Sequence, residues 1–190
     1  MTRYSGTDYE LKDSYGGPAT ITTPTAAAVS MIAGLGPLII PAFGMGGLGT
    51  LSKSWRLRLS GVATATATVP TWKMGVAKTT TSAAAFTAGF ETATFTPAAV
   101  TGARWWADFE FTYRTLSQTN TGVVAVSGIV TGPALVPAPF SASIPASNGA
   151  DTWTDWDIAQ QYYLWPYLTL GAATAGNTVT VQTAKLYGEN

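Results

Sequence analysis

Over residues 104–114, Trp105, Ala107, Phe109, Phe111 and Tyr113 alternate with Arg104, Asp108, Glu110, Thr112 and Arg114. Side chains on an extended strand point to opposite faces with a period of two, so this run predicts a half-buried β-strand with one face in a core and one turned to water or a partner. Trp106 breaks the rule by falling on the polar parity. An indole placed there suits a subunit contact or a ligand platform.

The same signal recurs on both sides. Trp55, Leu57 and Leu59 alternate with Arg56 and Arg58 until Gly61 ends the run, and Trp72, Met74 and Val76 alternate with Lys73, Gly75 and Ala77 after Pro70. Both predict strands with one wet face. Weaker strands are predicted at 86–90 and 92–95. Residues 123–131, bounded by Gly122 and Gly132, read as a more fully buried strand. Pro133, Pro137, Pro139 and Pro145 then mark a connector, because proline cannot donate to a central ladder. The last two predicted strands, 162–170 and 178–187, are separated by Gly171 and a Gly176-Asn177 turn. No stretch shows the periodicity of an amphipathic helix, and only 154–161 suits a single helical turn. Short strands at turn-punctuated intervals predict an all-β antiparallel sandwich, barrel or jelly roll.

The first residues break this pattern. Residues 1–17 mix Arg3, Asp8, Glu10, Lys12 and Asp13 with glycine and serine without a period and read as an extended arm, and no signal-peptide pattern opens the chain. No charge occurs between Asp13 and Lys53, but Pro37, Pro41 and six glycines from Gly34 to Gly49 leave no helical run of about 20 residues, so the expectation is a short strand at 38–40 and a glycine-rich turn rather than a membrane span.

Composition narrows the function. Only 11% of residues are charged, against about 25% in an ordinary domain, so little repulsion keeps neighbouring copies apart. Ten basic and ten acidic residues cancel, which leaves no field to attract nucleic acid or anionic lipid. The chain has neither cysteine nor histidine, and so lacks thiolate chemistry, the usual general base and the commonest metal ligand.

Three constellations remain. Asp151, Asp155 and Asp157 with Trp153 and Trp156 could supply oxygen ligands for calcium or indoles for sugar stacking, but the EF-hand spacing is missing, and a loop with packed rings and wet carboxylates is the preferred expectation. Asp108 and Glu110 share a strand face as a glycosidase pair would, yet Arg56, Arg58, Arg104 and Arg114 are ready cross-strand partners, and ion pairing is preferred. In the 162–170 strand, Tyr163, Trp165 and Tyr167 share one face while Tyr162, Leu164, Pro166 and Leu168 share the other. One face is expected in the core and the other as an exposed aromatic row. Such a row marks a neighbouring subunit ahead of a glycan in a chain with so little charge.

The order of landmarks resembles a family of small phage virion proteins with a jelly-roll fold. The similar segments are LIIPAFGMGGLGTL, SKSWRLRLSGVATA, TWKMGV, ARWWADFEFTYRT, GVVAVSGIVTG and the closing YLWPYLTLGAATAGNTVTVQTAKLYGEN. The insert DTWTDWD and residues 1–37 have no counterpart in that pattern. The resemblance covers 38–190 and implies a jelly-roll sandwich there, belonging to a head decoration, cement, neck or minor tail protein assembled as a homotrimer in a virion, while residues 1–37 are expected as an extended arm in front of it. It implies no cofactor and no catalytic set. Partners are then further copies of the chain and the major capsid or other virion proteins, with Trp106, Trp153, Trp156, Tyr163, Trp165 and Tyr167 as candidate interface residues. A carbohydrate-binding host-attachment protein is the alternative.

Overall fold

Among the described residues thirteen strands form where alternation and β-branched or aromatic residues coincide: β1 (Asp8–Asp13), β2 (Ala19–Thr22), β3 (Val29–Ser30), β4 (Leu38–Ile40), β5 (Ser54–Ala65), β6 (Trp72–Thr79), β7 (Phe90–Glu91), β8 (Val100–Thr115), β9 (Gly122–Thr131), β10 (Ser141–Ile144), β11 (Thr152–Trp156), β12 (Tyr162–Leu170) and β13 (Thr178–Glu189). The computed structural model describes residues 8–13, 19–22, 28–32, 36–42, 54–66, 71–83, 85–87, 89–132, 141–144, 152–172 and 175–189. Among these no helix occurs, so none is long and apolar enough to cross a membrane.

The strands make two antiparallel sheets. The larger runs β1-β13-β5-β8-β9-β10, with β2 also on β13 and β11 also on β9; the smaller runs β3-β12-β6-β7, with β4 also on β12. The chain crosses between sheets after β2, β4, β5, β7, β11 and β12, and the pairings nest: β5 lies on β13, and β6 lies on β12. That wrapping makes the fold an antiparallel β-sandwich of jelly-roll type. From the stretch expected as an arm, β1 and β2 run along successive parts of β13, and β3 pairs with β12.

Alternation in β8 is as predicted: Ala103, Trp105, Ala107, Phe109, Phe111 and Tyr113 are buried. They meet Trp55, Leu57, Leu59, Val124 and Val126 from the same sheet and Trp72, Met74, Val76, Leu164 and Leu168 from the other in one core. Each fully buried large side chain contributes roughly 1.5–3 kcal/mol, which is why the core alone holds the sheets together without disulfides.

Several expectations are corrected. β5 does not end at Gly61 but continues to Ala65, because Gly61 lets the β13 backbone come close, and a Cβ there would lie 1.9 Å from the Thr180 carbonyl oxygen. β9 is not fully buried; its alternation leaves Ser127 and Ile129 exposed, since the larger sheet has a wet outer face. Of the stretch expected as a loop, 152–156 form β11 on β9, and 154–161 hold a turn at 158–159 instead of a helical one. The weak strands at 86–90 and 92–95 shrink to β7 and a single bridge from Phe95 to Trp72. The proline-rich connector carries β10 at 141–144. Most of the glycine-rich turn after β4, residues 43–50, lies outside the described residues.

Candidate functional site

The six candidate aromatics divide among three places. Trp153 and Trp156 sit at one end of the core. The Trp156 ring lies 4.1 Å from Tyr162 and 5.3 Å from Trp55, while Trp153 stacks on Phe111 at 5.7 Å with 3° between planes. The β11 register puts Trp153 opposite Val124, whose partner on β8 is Tyr113, so the indoles inherit the inward parity of their neighbours. Trp156 Nε1 donates to the Tyr113 hydroxyl at 2.9 Å. Burial pushes the Tyr113 phenol far above its usual range, since the fold has no place for its anion.

Lys78 enters this cluster from the inward face of β6, where it is paired with Leu164. Its ammonium stands 2.8 Å from Asp155 Oδ1 and lies over the rings of Tyr162, Trp156 and Trp153 at 4.9, 5.7 and 5.8 Å. The aliphatic stem is covered and the charge meets ring faces, the arrangement a desolvated cation requires. Asp157 Oδ1 accepts the Ala159 N–H at 2.8 Å, while Asp151 lies outside the described residues. The acidic cluster is therefore engaged in an ion pair and a turn. Among the described residues no group of histidine, cysteine, aspartate or glutamate side chains is placed to hold a metal.

The expected exposed row on β12 is corrected. Trp165 and Tyr167 are buried, because residues following β6 fold back over that face: Phe86 stacks on Trp165 at 6.1 Å and lies 5.6 Å from Tyr167. Trp165 Nε1 donates to Thr79 Oγ1 at 3.0 Å, and the Tyr167 hydroxyl donates to Glu91 Oε2 at 3.3 Å, so both polar tips are satisfied within the chain. Tyr163 is half-buried and its hydroxyl accepts from Gln161 Nε2. The face expected to be wet on β6 is closed by the same cover. Gly75 and Ala77 are buried, and a Cβ at Gly75 would meet the Phe90 carbonyl oxygen at 2.3 Å and the Tyr167 ring at 2.7 Å.

Trp106 alone of the six stays open, 44% exposed on the outer face of the larger sheet. Cross-strand register sets its surroundings. One row reads Thr183, Ser60, Trp106, Thr131 across β13, β5, β8 and β9; the next reads Lys185, Arg58, Asp108, Ile129; the third reads Tyr187, Arg56, Glu110, Ser127. Asp108 is held by both arginines, Arg56 Nε at 3.0 Å and Arg58 Nε at 3.1 Å, as the cross-strand expectation required. Ser60 and Thr183 hydroxyls bond to each other at 2.6 Å, and the Arg58 guanidinium lies 5.8 Å from the Tyr187 ring centre. A groove of about 300 Å³ opens between Trp106 and these side chains. Ile129, 42% exposed, extends the apolar surface beyond Asp108. Sequence reasoning missed Ile129 and Tyr187 because only the register reveals that they share a face with Trp106.

No family model matches the chain, and no curated protein matches it. Among solved structures it is similar to the r-CATD of the polysaccharide lyase family 18 protein aly-SJ02, at 8% identity over 92% of this chain and 89% of that chain with a TM-score of 0.30. It is also similar to a legume lectin-like domain from Entamoeba histolytica, at 10% identity over 90% of this chain and 89% of that chain with a TM-score of 0.26. Likenesses this loose say nothing about substrate or partner, and the fold rests on the strand pairings themselves.

Proposed function

We propose that this chain is a non-catalytic structural protein of a virus particle, most simply a decoration protein that binds and stabilises a phage head. One observation carries the contact: Trp106 and Ile129 stand exposed in adjacent rows whose other residues are Thr183, Ser60, Thr131, Lys185, Arg58 and Asp108. An exposed indole beside an exposed aliphatic side chain, rimmed by arginines, has the make-up of an interface centre. The low charge supports the same reading. A second reading, host attachment through a glycan, keeps the groove beside Trp106 but loses Trp165 and Tyr167, which the chain itself covers. Co-sedimentation with undecorated phage heads tests the proposal: the chain pellets with heads, and Trp106→Ala reduces its occupancy at least tenfold. Equal pelleting of wild type and variant sinks the contact, and binding to a carbohydrate array without binding to heads would favour the second reading.

A further inference from the structure

The outer face of the larger sheet is arranged by strand as well as by row. The cations Arg56 and Arg58 are on β5, and the anions Asp108 and Glu110 are on the adjacent β8. Arg58 pairs with Asp108 in register and Arg56 with Glu110, so over these two rows a basic column lies beside an acidic one, with Arg104 and Arg114 further along the same face of β8.

Such a face is complementary to itself. When two copies meet face to face about a two-fold axis lying between β5 and β8 and parallel to them, each row is laid on the same row reversed. Arg58 then faces Asp108 of the second copy, and Arg56 faces Glu110 of the second copy, giving four opposite-sign pairs over the two halves. In the first row Trp106 of the second copy falls over Ser60, which lines the groove of about 300 Å³. In the middle row the exposed Ile129 of the second copy falls over the stem of Lys185. A two-fold axis running across the strands through the middle row would instead place Arg58 on Arg58 and Asp108 on Asp108, which repels. The charge columns therefore select one orientation, close to the aligned packing that twisted sheets adopt at about −30°.

We infer that the Trp106 face docks a second copy of this chain in a two-fold dimer, with each Trp106 seated in the other copy's groove. The inference rests on the reading of this face as an interface: the pair covers it in the free chain and gives it up when the chain binds a head. Four strands about 4.8 Å apart span a contact narrower than the roughly 800 Å² per partner of a standard interface, so the dimer forms reversibly with concentration. The charge pairs make it salt-sensitive.

Light scattering on the full chain, with two charge reversals, tests it. Wild type reaches the mass of two 19.8 kDa chains as concentration rises, and loses it in high salt. Arg56→Glu and Glu110→Arg each stay at the mass of one chain, because like charges now face each other across the axis. Mixing the two variants restores the two-chain mass, since an Arg56→Glu copy meets a Glu110→Arg copy with every pair attractive. That recovery also shows that both variants are folded. A one-chain mass for wild type at all concentrations overturns the dimer, as does a three-chain mass or a mixture that stays monomeric while wild type pairs. If wild type is monomeric yet Trp106→Ala still lowers binding to heads, the interface reading stands and the second copy is excluded as its occupant.

Discussion

The Lys78 ammonium lies 4.9 Å from the centre of the Tyr162 ring, on the inward side of the smaller sheet. The Lys78 side chain is 10% exposed, whereas its partner Asp155 is 61% exposed, so the two ends of the ion pair are worth different amounts. Lys78→Ala is expected to lower unfolding free energy by about 2 kcal/mol through lost packing and cation–π contact, and Asp155→Asn by no more than about 0.5 kcal/mol. Urea denaturation of both variants checks this. A larger loss at Asp155 would mean that the carboxylate, rather than the rings, holds Lys78 in place.

Seven tryptophans invite a comparison of two. Trp165 is buried under Phe86 and Trp106 is open. Trp165→Ala is expected to cost about 3–5 kcal/mol of folding free energy, and Trp106→Ala to change it by less than about 0.5 kcal/mol. Chemical denaturation at a concentration where the chain is monomeric separates them. Acrylamide should quench the fluorescence lost in Trp106→Ala far more readily than that lost in Trp165→Phe.

Gly75 has no room for a methyl group between the Phe90 carbonyl oxygen and the Tyr167 ring. Gly75→Ala is expected to destabilise by about 3 kcal/mol, because backbone on one side and a buried ring on the other both resist movement. Thermal unfolding reads the loss. Adding Tyr167→Leu should recover part of it, since the ring is one of the two obstacles, and no recovery would assign the whole effect to β7.

Alkaline pH should weaken the fold. Burial raises the phenols of Tyr113, Tyr162 and Tyr167 above the usual 10.0, with the Glu91 carboxylate adding to the effect at Tyr167 and the carboxylates of Asp155 and Asp157 adding at Tyr162. The unfolded chain then releases protons near pH 10 that the folded chain retains, so stability is fully present below that value and falls as pH rises through it toward the folded-state values. Melting temperature should be flat from about pH 8 to 9.5 and drop beyond about pH 10. Tyrosinate absorbance should show a late-titrating fraction, from Tyr113 and Tyr167, that appears together with the unfolding signal.

The strands around Trp55, Trp105 and Trp165 were readable because amphipathic alternation is local: each residue's parity follows from its neighbours alone. The Asp108 pairing with Arg56 and Arg58 was readable for a related reason, since opposite charges on the wet parity of two predicted strands find each other wherever those strands are adjacent. The failures share a cause. Trp165 and Tyr167 sit on the parity opposite the core, and their burial depends on Phe86, whose weak strand signal at 86–90 carries no information about which face it covers. Trp156 packs as expected, but its stretch is a strand and not a loop because β11 joins β9, and the aspartates around it gave that stretch the look of a loop.

By itself, then, the sequence determined the all-β class, the strands with strong alternation, the lack of histidine and cysteine chemistry, and the odd position of Trp106, all of which are properties of composition or of period-two spacing. Tertiary structure alone decided which aromatics stay exposed, what Lys78 touches, and that Ile129, Tyr187 and the Arg56–Arg58 column surround Trp106. Those facts depend on register and on which segment covers which face, and register is set by pairings between strands as distant along the chain as β5 and β13, which no local pattern records.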